Sequence, residues 1–170
     1  MLERLNALRE QGKASVLAAR DGTCLGVIAL SDTLRPAANS MVAKLASMGA
    51  QAVLLTGDNQ RAADYFARQA GITAVRAELL PEQKVQSIVE LEQEGRKVCM
   101  IGDGVNDAPA LKTADVGVAM GSMGSDIAVE AADIALMGDD ISKIPYLKRL
   151  SNATVHTIRF SISLSLCINF

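Results

Sequence analysis

KVCMIGDGVNDAP, residues 97–109, predicts an apolar strand that runs into a Gly-Asp-Gly turn and then into the start of a helix. In an open α/β sheet, ligands bind outside the carboxyl ends of the strands, which is where Asp103 would project. Its carboxylate oxygens suit Mg²⁺, and Gly102 and Gly104 let the backbone come close. We therefore interpret Asp103 as a Mg²⁺ ligand, with Asp107 either a second ligand or a residue that orients the ligands. The alternative is an acidic turn followed by an ordinary helix cap.

Outward from this segment, helical patterns alternate with short apolar runs. The alternation covers residues 36–120 and predicts helices over 36–49, 59–71, 81–95 and 106–114, with strands over 52–56, 72–75, 97–101 and 116–120. The chain is 49% hydrophobic but only 3% aromatic, so its core must be aliphatic. Such a core suits helices that cover a parallel sheet. The pattern therefore predicts an α/β fold.

The two ends of the chain depart from this alternation. Residues 2–11 have helical spacing, and the apolar runs 15–19 and 24–30 flank Arg20-Asp21-Gly22, which predicts a β-hairpin. At the other end, residues 158–170 are apolar but span only about 20 Å as a helix, against about 30 Å of bilayer hydrocarbon. Serines alternate with Ile and Leu there, so the pattern alone leaves strand and helix both open.

Composition excludes several classes of function. Seventeen basic and nineteen acidic residues give a net charge of −2, which does not favour nucleic-acid binding. The three cysteines, Cys24, Cys99 and Cys167, are widely separated and accompany one histidine, His156, so neither disulfides nor structural zinc are expected. The charged amino terminus has no apolar signal segment. We expect a cytoplasmic location.

Two further segments are candidate sites for phosphate. Thr56, with the amides of Gly57 and Asp58, follows an apolar run and could hold phosphate oxygens, although Asp58 or Asn59 could equally be a plain helix cap. Lys84 would lie in the first turn of a helix, where the macrodipole favours anions. A lysine there fits a phosphate ligand, but a solvated lysine is the simpler alternative.

These segments together resemble, in order and spacing, the phosphorylation domain of P-type ATPases, which belongs to the haloacid-dehalogenase-like phosphotransferases. The residues 110–120 and 131–141 are similar to the heavy-metal branch, and within it to the zinc and cadmium type. The segments that carry the resemblance are 32–36, 56–59, 81–84 and 102–109. It implies a Rossmann-like parallel sheet, here incomplete, with an amino-terminal hairpin and a long carboxy-terminal helix.

The resemblance also implies roles for single residues. Thr56 would bind the transferred phosphoryl group, with Gly57 and Asp58 beside it, and Lys84 would stabilise its charge. Asp103 and Asp107 would hold Mg²⁺, and Asn106 would hydrogen-bond near the phosphate. Asp32 and Arg35, in the segment Asp32-Thr-Leu-Arg-Pro36, would form a hinge ion pair, although spacing alone fits a helix start as well.

At the scale of the chain, the resemblance implies part of an ATP-driven pump for transition or heavy-metal cations. Residues 1–30 would be a remnant of the nucleotide-binding domain, 31–148 the phosphorylation domain, and 149–170 a helix that leads into a transmembrane segment. The expected setting is a cytoplasmic domain of a cell-membrane protein.

The family phosphorylates the aspartate of a D-K-T-G-T motif, and these 170 residues contain no such motif. We therefore expect the isolated chain to be inactive as an ATPase. Two alternatives stay open: a non-catalytic module that binds Mg²⁺ or phosphate, and a stand-alone phosphatase of the same superfamily, which would need its own nucleophilic aspartate.

Overall fold

The structure, a computed structural model, describes residues 5, 8, 13–30, 33–102, 105–121, 126–138 and 140–169. Leu5 and Leu8 are both helical, as expected for residues 2–11, and the rest of that predicted helix lies outside the described residues. Asp32 and Asp103, two of the predicted site residues, also lie outside them.

The order of elements confirms the predicted alternation. The strands are β1 (Ala14–Arg20), β2 (Thr23–Leu30), β3 (Val53–Leu55), β4 (Ala74–Arg76), β5 (Cys99–Gly102), β6 (Val116–Gly121) and β7 (Ile134–Met137). The helices are α1 (Ala38–Ser47), α2 (Gln60–Ala70), α3 (Pro81–Gln93), α4 (Ala108–Thr113), α5 (Asp126–Ala131) and α6 (Lys143–Asn169), with a 3₁₀ turn at Val105–Asp107 before α4.

The strands of the described residues form three hydrogen-bonded groups. β1 and β2 are an antiparallel hairpin whose turn has positive φ at Asp21 and Gly22, as the Asp-Gly pair predicts. β3 pairs with β4 in parallel, and β5, β6 and β7 form a parallel three-stranded sheet in that order. The α/β fold with parallel strands is confirmed. β3 and β5 do not pair with each other in the described part of the chain.

One apolar cluster nevertheless joins the two parallel groups. Ile88 of α3 and Leu111 of α4 are fully buried in it together with Met100 of β5 and Ala119 of β6. Leu55 of β3 packs against the same cluster. The cluster is aliphatic, as the composition of the chain predicts. Side chains of β3 and β5 thus pack in the same core with Ile88 of α3.

A second cluster attaches the long helix to the sheet. Ile141 and Ile144 at the start of α6 pack with Met120 of β6 and Ala38 of α1. Leu34, just before α1, packs against the same cluster. The segment between the hairpin and α1 is therefore anchored to the base of α6.

Residues 143–169 form one continuous helix, which resolves the alternative that the serine pattern left open. Beyond its base, α6 is exposed throughout residues 149–168. Within the described residues, no helix combines the length and the apolar character needed to cross a bilayer.

Candidate functional site

Thr56 follows β3 and lies within a closed network of hydrogen bonds. Its backbone N–H donates to the Arg76 carbonyl at 3.1 Å, which continues the pairing of β3 with β4. Its hydroxyl Oγ1 donates to Asp58 Oδ2 at 2.9 Å and accepts from the Asp58 N–H at 3.1 Å. The Asp58 amide that we predicted as a phosphate donor is thus bonded to Thr56. Asn59 caps α2 by accepting from the Ala62 N–H at 3.0 Å, which confirms the capping alternative for that residue.

The loop after β4 is tied to the loop after β3. Leu79 donates its N–H to the Thr56 carbonyl at 3.0 Å, and Glu78 donates to the Asp58 carbonyl at 2.8 Å. Glu78 adopts φ 58°, a left-handed conformation that costs a non-glycine residue about 1–2 kcal/mol. A side chain on Gly57 would meet the Leu79 carbonyl at 3.3 Å. These contacts hold residues 56–58 in one conformation.

The same loop begins α3 and so positions Lys84. Pro81 starts the helix as predicted, and Gln83 Oε1 accepts from the Leu80 N–H at 2.8 Å. In the same first turn, Lys84 Nζ donates to Asp107 Oδ1 at 2.8 Å, with the two side chains only 16% and 15% exposed. The attraction in an ion pair this well shielded is screened less by water than in a surface pair, although desolvation of both charges offsets part of the gain. Two residues that the sequence suggested for separate roles are therefore in direct contact.

Asp107 lies directly against Gly102, the last residue of β5. A Cβ at Gly102 would approach Asp107 Cβ to 2.8 Å and Oδ2 to 3.0 Å. Any larger residue at position 102 would displace this carboxylate, which explains the first glycine of the Gly-Asp-Gly turn. Asp107 ends the 3₁₀ turn and precedes α4, and Asn106 is exposed in the same turn. The Asp107 carboxylate thus lies beside the carboxyl end of β5.

The donor set at this end of β5 fits Mg²⁺ in its chemistry. Asp107 offers hard carboxylate oxygens there, whereas Asp103, the next residue after β5 in the sequence, lies outside the described residues, so its part in a Mg²⁺ site stays a prediction. In the described part of the chain, no three His, Cys, Asp or Glu side chains cluster in a way that could hold a metal ion. Mg²⁺ needs no such cluster, because it is usually held by one or two carboxylates, waters and substrate phosphate oxygens.

The predicted hinge is only partly described. Asp32 lies outside the described residues, and Arg35 lies just before α1, where its carbonyl accepts from the Ala38 N–H at 2.9 Å. The helix-start alternative is thereby supported for Arg35, and the predicted ion pair with Asp32 stays a prediction.

Two aspartates outside the predicted site have a structural role that sequence reasoning missed. Asp115 Oδ2 accepts from the Val98 N–H at 2.9 Å, and Asp133 Oδ2 accepts from the Gly117 N–H at 2.8 Å. Each aspartate lies just before one strand, and its carboxylate accepts from a backbone N–H at the amino end of the strand that comes earlier in the chain. The signal was present, since Ala-Asp-Val at 114–116 and Ala-Asp-Ile at 132–134 repeat the same pattern.

Asp115 is also paired with a lysine. Its Oδ1 accepts from Lys97 Nζ at 2.7 Å. The hydrogen bond from Lys97 and the bond from the Val98 amide hold the pKa of Asp115 below its usual value, and the same hydrogen bond raises the pKa of Lys97.

A shallow groove of about 380 Å³ lies at this amino-terminal edge of β5 and β6, away from Thr56, Lys84 and Asp107. Its walls are Glu92, Gly95, Arg96, Lys97, Thr113 and Asp115. Because ligands of open α/β sheets bind at the carboxyl ends of strands, we do not place the site in this groove.

Comparison with known proteins identifies the family of this chain. Residues 1–115 match the family described as haloacid dehalogenase-like hydrolase. The chain is 44% identical over 166 residues to a probable cadmium-transporting ATPase of Staphylococcus aureus, covering 97% of this chain and 21% of that protein. It is 41% identical over 169 residues to a copper-exporting P-type ATPase of Bacillus subtilis (strain 168), covering 99% of this chain and 21% of the relative.

A solved structure gives the same result in three dimensions. The crystal structure of a zinc-transporting PIB-type ATPase in its E2.Pi state superimposes with a TM-score of 0.87 at 42% identity, covering 97% of this chain and 27% of the other. The chain thus spans about a fifth of the length of the two ATPases compared above. It belongs to the haloacid dehalogenase-like hydrolase family and corresponds to part of the phosphorylation domain of heavy-metal P-type ATPases.

Proposed function

We propose that this chain supplies the phosphate- and Mg²⁺-binding half of an aspartyl-phosphate site in an ATP-driven pump for heavy-metal cations. The observation that carries the proposal is the shielded contact between Lys84 and Asp107 at the carboxyl end of β5. A lysine in the first turn of a helix, held by a carboxylate, is a cation fixed in place before the substrate arrives. Fixed charges of this kind lower a barrier without any reorganisation during the reaction.

In this proposal each group has a distinct task. Thr56 donates its hydroxyl proton to an oxygen of the phosphoryl group, and the Gly57 and Asp58 segment forms the wall beside it. Lys84 has three N–H donors, and Asp107 uses one of them, so the others are left to neutralise the charge on the phosphoryl oxygens. Asn106, exposed in the 3₁₀ turn, supplies a further hydrogen bond. Phosphoryl transfer depends mainly on such positioning and electrostatics.

Asp103 and Asp107 would hold Mg²⁺ in this site. When bound, the ion neutralises charge on the phosphate oxygens and fixes their orientation. Gly102 lets the Asp107 carboxylate lie against the end of β5, because a Cβ at position 102 would meet Asp107 Oδ2 at 3.0 Å. The chain's own contribution is thus to hold carboxylates and a lysine at one strand end.

The wider setting is also part of the proposal. The relatives are a probable cadmium-transporting ATPase and a copper-exporting P-type ATPase, which supports a transition or heavy-metal cation as the transported substrate and ATP as the phosphoryl donor. In a complete pump, a segment before residue 1 would carry the D-K-T-G-T aspartate. Residues 1–30 would belong to the nucleotide-binding domain, residues 31–148 would form the phosphorylation domain, and α6 would lead towards the membrane. The domain would lie on the cytoplasmic side.

A stand-alone phosphatase is less well supported. It needs a nucleophilic aspartate at the end of a central strand. Asp21 lies in the exposed hairpin turn, and the Asp58 carboxylate is bonded to Thr56. Neither position fits an attacking group.

The test is titration of the folded chain with inorganic phosphate in the presence of Mg²⁺, followed by calorimetry or ³¹P NMR. Lys84→Gln should weaken phosphate binding by roughly tenfold or more, because it removes a charge-assisted hydrogen bond. Lys112→Gln, on the exposed side of α4, is the matched control and should leave binding almost unchanged.

Lys84→Gln also leaves the Asp107 carboxylate without its lysine, which could destabilise the chain. The double variant Lys84→Gln, Asp107→Asn removes both charges and should fold but still bind phosphate weakly. Equal phosphate binding by this double variant and the parent chain would contradict the proposed site.

A further inference from the structure

Thr56 has one hydroxyl proton, and the structure shows where that proton is directed. An ionised carboxylate accepts hydrogen bonds and cannot donate them, so the 2.9 Å contact between Thr56 Oγ1 and Asp58 Oδ2 must use the threonine proton. The Asp58 N–H already donates to the same oxygen at 3.1 Å and fixes its orientation. Thr56 therefore cannot donate to a phosphate oxygen while this contact persists.

We infer that the Asp58 carboxylate competes with the phosphoryl group for the Thr56 hydroxyl and thereby sets the affinity of the site for phosphate. This inference rests on the proposed function, since it concerns the same site. A carboxylate and a phosphate are both anionic oxygen acceptors, so Asp58 occupies the donor that the phosphate needs. It also places a negative charge beside the incoming anion.

The surrounding backbone allows the exchange without refolding. The Asp58 carbonyl accepts from the Glu78 N–H at 2.8 Å, and the Thr56 carbonyl accepts from the Leu79 N–H at 3.0 Å. These bonds hold the loop from both sides. A rotation of the Asp58 side chain is then enough to release Thr56. Phosphate binding therefore includes the free energy of breaking the hydrogen bond between Thr56 and Asp58, which a neutral side chain at position 58 would reduce.

The experiment compares Asp58→Asn with Asp64→Asn in the phosphate titration, at fixed Mg²⁺ and salt. Asp64 is on α2, where its carboxylate accepts from Gln60 Nε2 at 2.8 Å, so its replacement removes the same charge away from Thr56. Asp58→Asn should tighten phosphate binding roughly tenfold, the scale of one charge-assisted hydrogen bond. Asp64→Asn should change it by less than about twofold, as expected for a half-buried charge that does not contact Thr56.

A double-mutant cycle separates competition for the hydroxyl from simple repulsion. With Thr56→Val in place, there is no hydroxyl to compete for, so adding Asp58→Asn should change affinity no more than Asp64→Asn does. Asp58→Ser offers a second neutral variant with a small turn-forming side chain, and circular dichroism verifies that each variant is folded.

The outcomes distinguish the two proposals. If phosphate binding depends on Lys84 but Asp58→Asn and Asp58→Ser behave like Asp64→Asn, or bind more weakly, the competition is overturned and the site stands. If binding tightens in Asp58→Asn only when Thr56 is present, the competition is supported. If no variant binds phosphate, the site itself is overturned, and the role of Asp58 with it.

Discussion

Single residues in this chain act mainly through backbone groups at strand ends. Gly102 leaves room for Asp107, and a Cβ at Gly117 would collide with the Leu111 carbonyl. Asp115 and Asp133 satisfy amide groups at the starts of neighbouring strands. The amino ends of these strands thus carry carboxylates that bind backbone amides, whereas the proposed site lies at the carboxyl ends.

We predict that Asp115→Asn lowers the stability of the chain at neutral pH but not in acid. The folded-state pKa of Asp115 is below its unfolded value of about 4, so its stabilising effect is complete above about pH 4 and is lost as the pH falls through the folded pKa. Asparagine resembles the protonated acid and removes that effect. The measurement is the urea midpoint of both chains at pH 7 and at pH 3.

The Lys97→Met variant is the control for the prediction about Asp115. It removes the ion pair and leaves the hydrogen bond from the Val98 N–H to the Asp115 carboxylate. Lys97→Met should therefore lower the stability at pH 7 less than Asp115→Asn does. If Asp115→Asn lowers the urea midpoint as much at pH 3 as at pH 7, the carboxylate charge is not the source of the stabilisation.

At the scale of elements, most of the fold could be predicted from sequence because the boundaries carry local signals. Pro81 begins α3, and Gly71 ends α2 with φ 77°, a conformation that favours glycine. The carboxy-terminal segment could not be assigned, since alternation of Ser with Ile and Leu fits a strand as well as an exposed helix. In the structure this segment is helical, because it continues the helix that begins at Lys143.

The site was less predictable than the fold. Thr56 and Lys84 were recognised by their positions after a strand and in a first helical turn. Their partners, Asp58 and Asp107, could not be assigned, because a hydrogen bond between side chains depends on rotamers and loop conformations that the sequence pattern does not specify. The contact between Lys84 and Asp107 spans 23 residues. The roles proposed for these side chains remain predictions.

We predict that the isolated chain is only marginally folded and prone to associate. β3 is paired with β4 and β5 with β6, while the described residues offer no partner for the other edges of β3 and β5. Unpaired edges of this kind are templates for aggregation. We expect a thermal midpoint below about 45 °C and concentration-dependent association in sedimentation experiments.

Addition of a polypeptide that contains the D-K-T-G-T strand should raise the midpoint and reduce association, whereas a peptide with the same composition in scrambled order should not. A sharp melt of a soluble monomer well above mesophilic temperatures would contradict this prediction.

At the scale of the whole molecule, the described surface is unusually apolar in two places. Val16, Leu25 and Ile28 are exposed on the hairpin, and Phe160 and Ile168 are among the exposed apolar residues of α6. Neither element belongs to the parallel strand groups β3–β4 and β5–β6–β7. The exposed apolar surface of these two elements is consistent with a chain that spans about a fifth of the length of the relatives compared above.

We predict that the chain does not form an acyl-phosphate from ATP. Thr56 and Lys84 can stabilise a phosphoryl group, but no D-K-T-G-T aspartate is present to accept it in line. The missing proximity effect amounts to about 7–11 kcal/mol. The measurement is incubation with γ-labelled ATP and Mg²⁺, an acid quench, and a search for label that hydroxylamine releases.

Adding the D-K-T-G-T segment in trans should restore that labelling, and restoration should fail with Asp103→Ala. Stoichiometric labelling of the chain alone would instead point to Asp21, Asp32 or Asp58 as an overlooked nucleophile.

The repeated arrangement of Asp115 and Asp133 has a consequence for how this domain tolerates change. Asp115, just before β6, accepts from the N–H of Val98, just before β5, and Asp133, just before β7, accepts from the N–H of Gly117 in β6. Each carboxylate thus supports the register of two neighbouring parallel strands. Inserting or deleting a residue at this end would shift a whole strand and exchange its two faces.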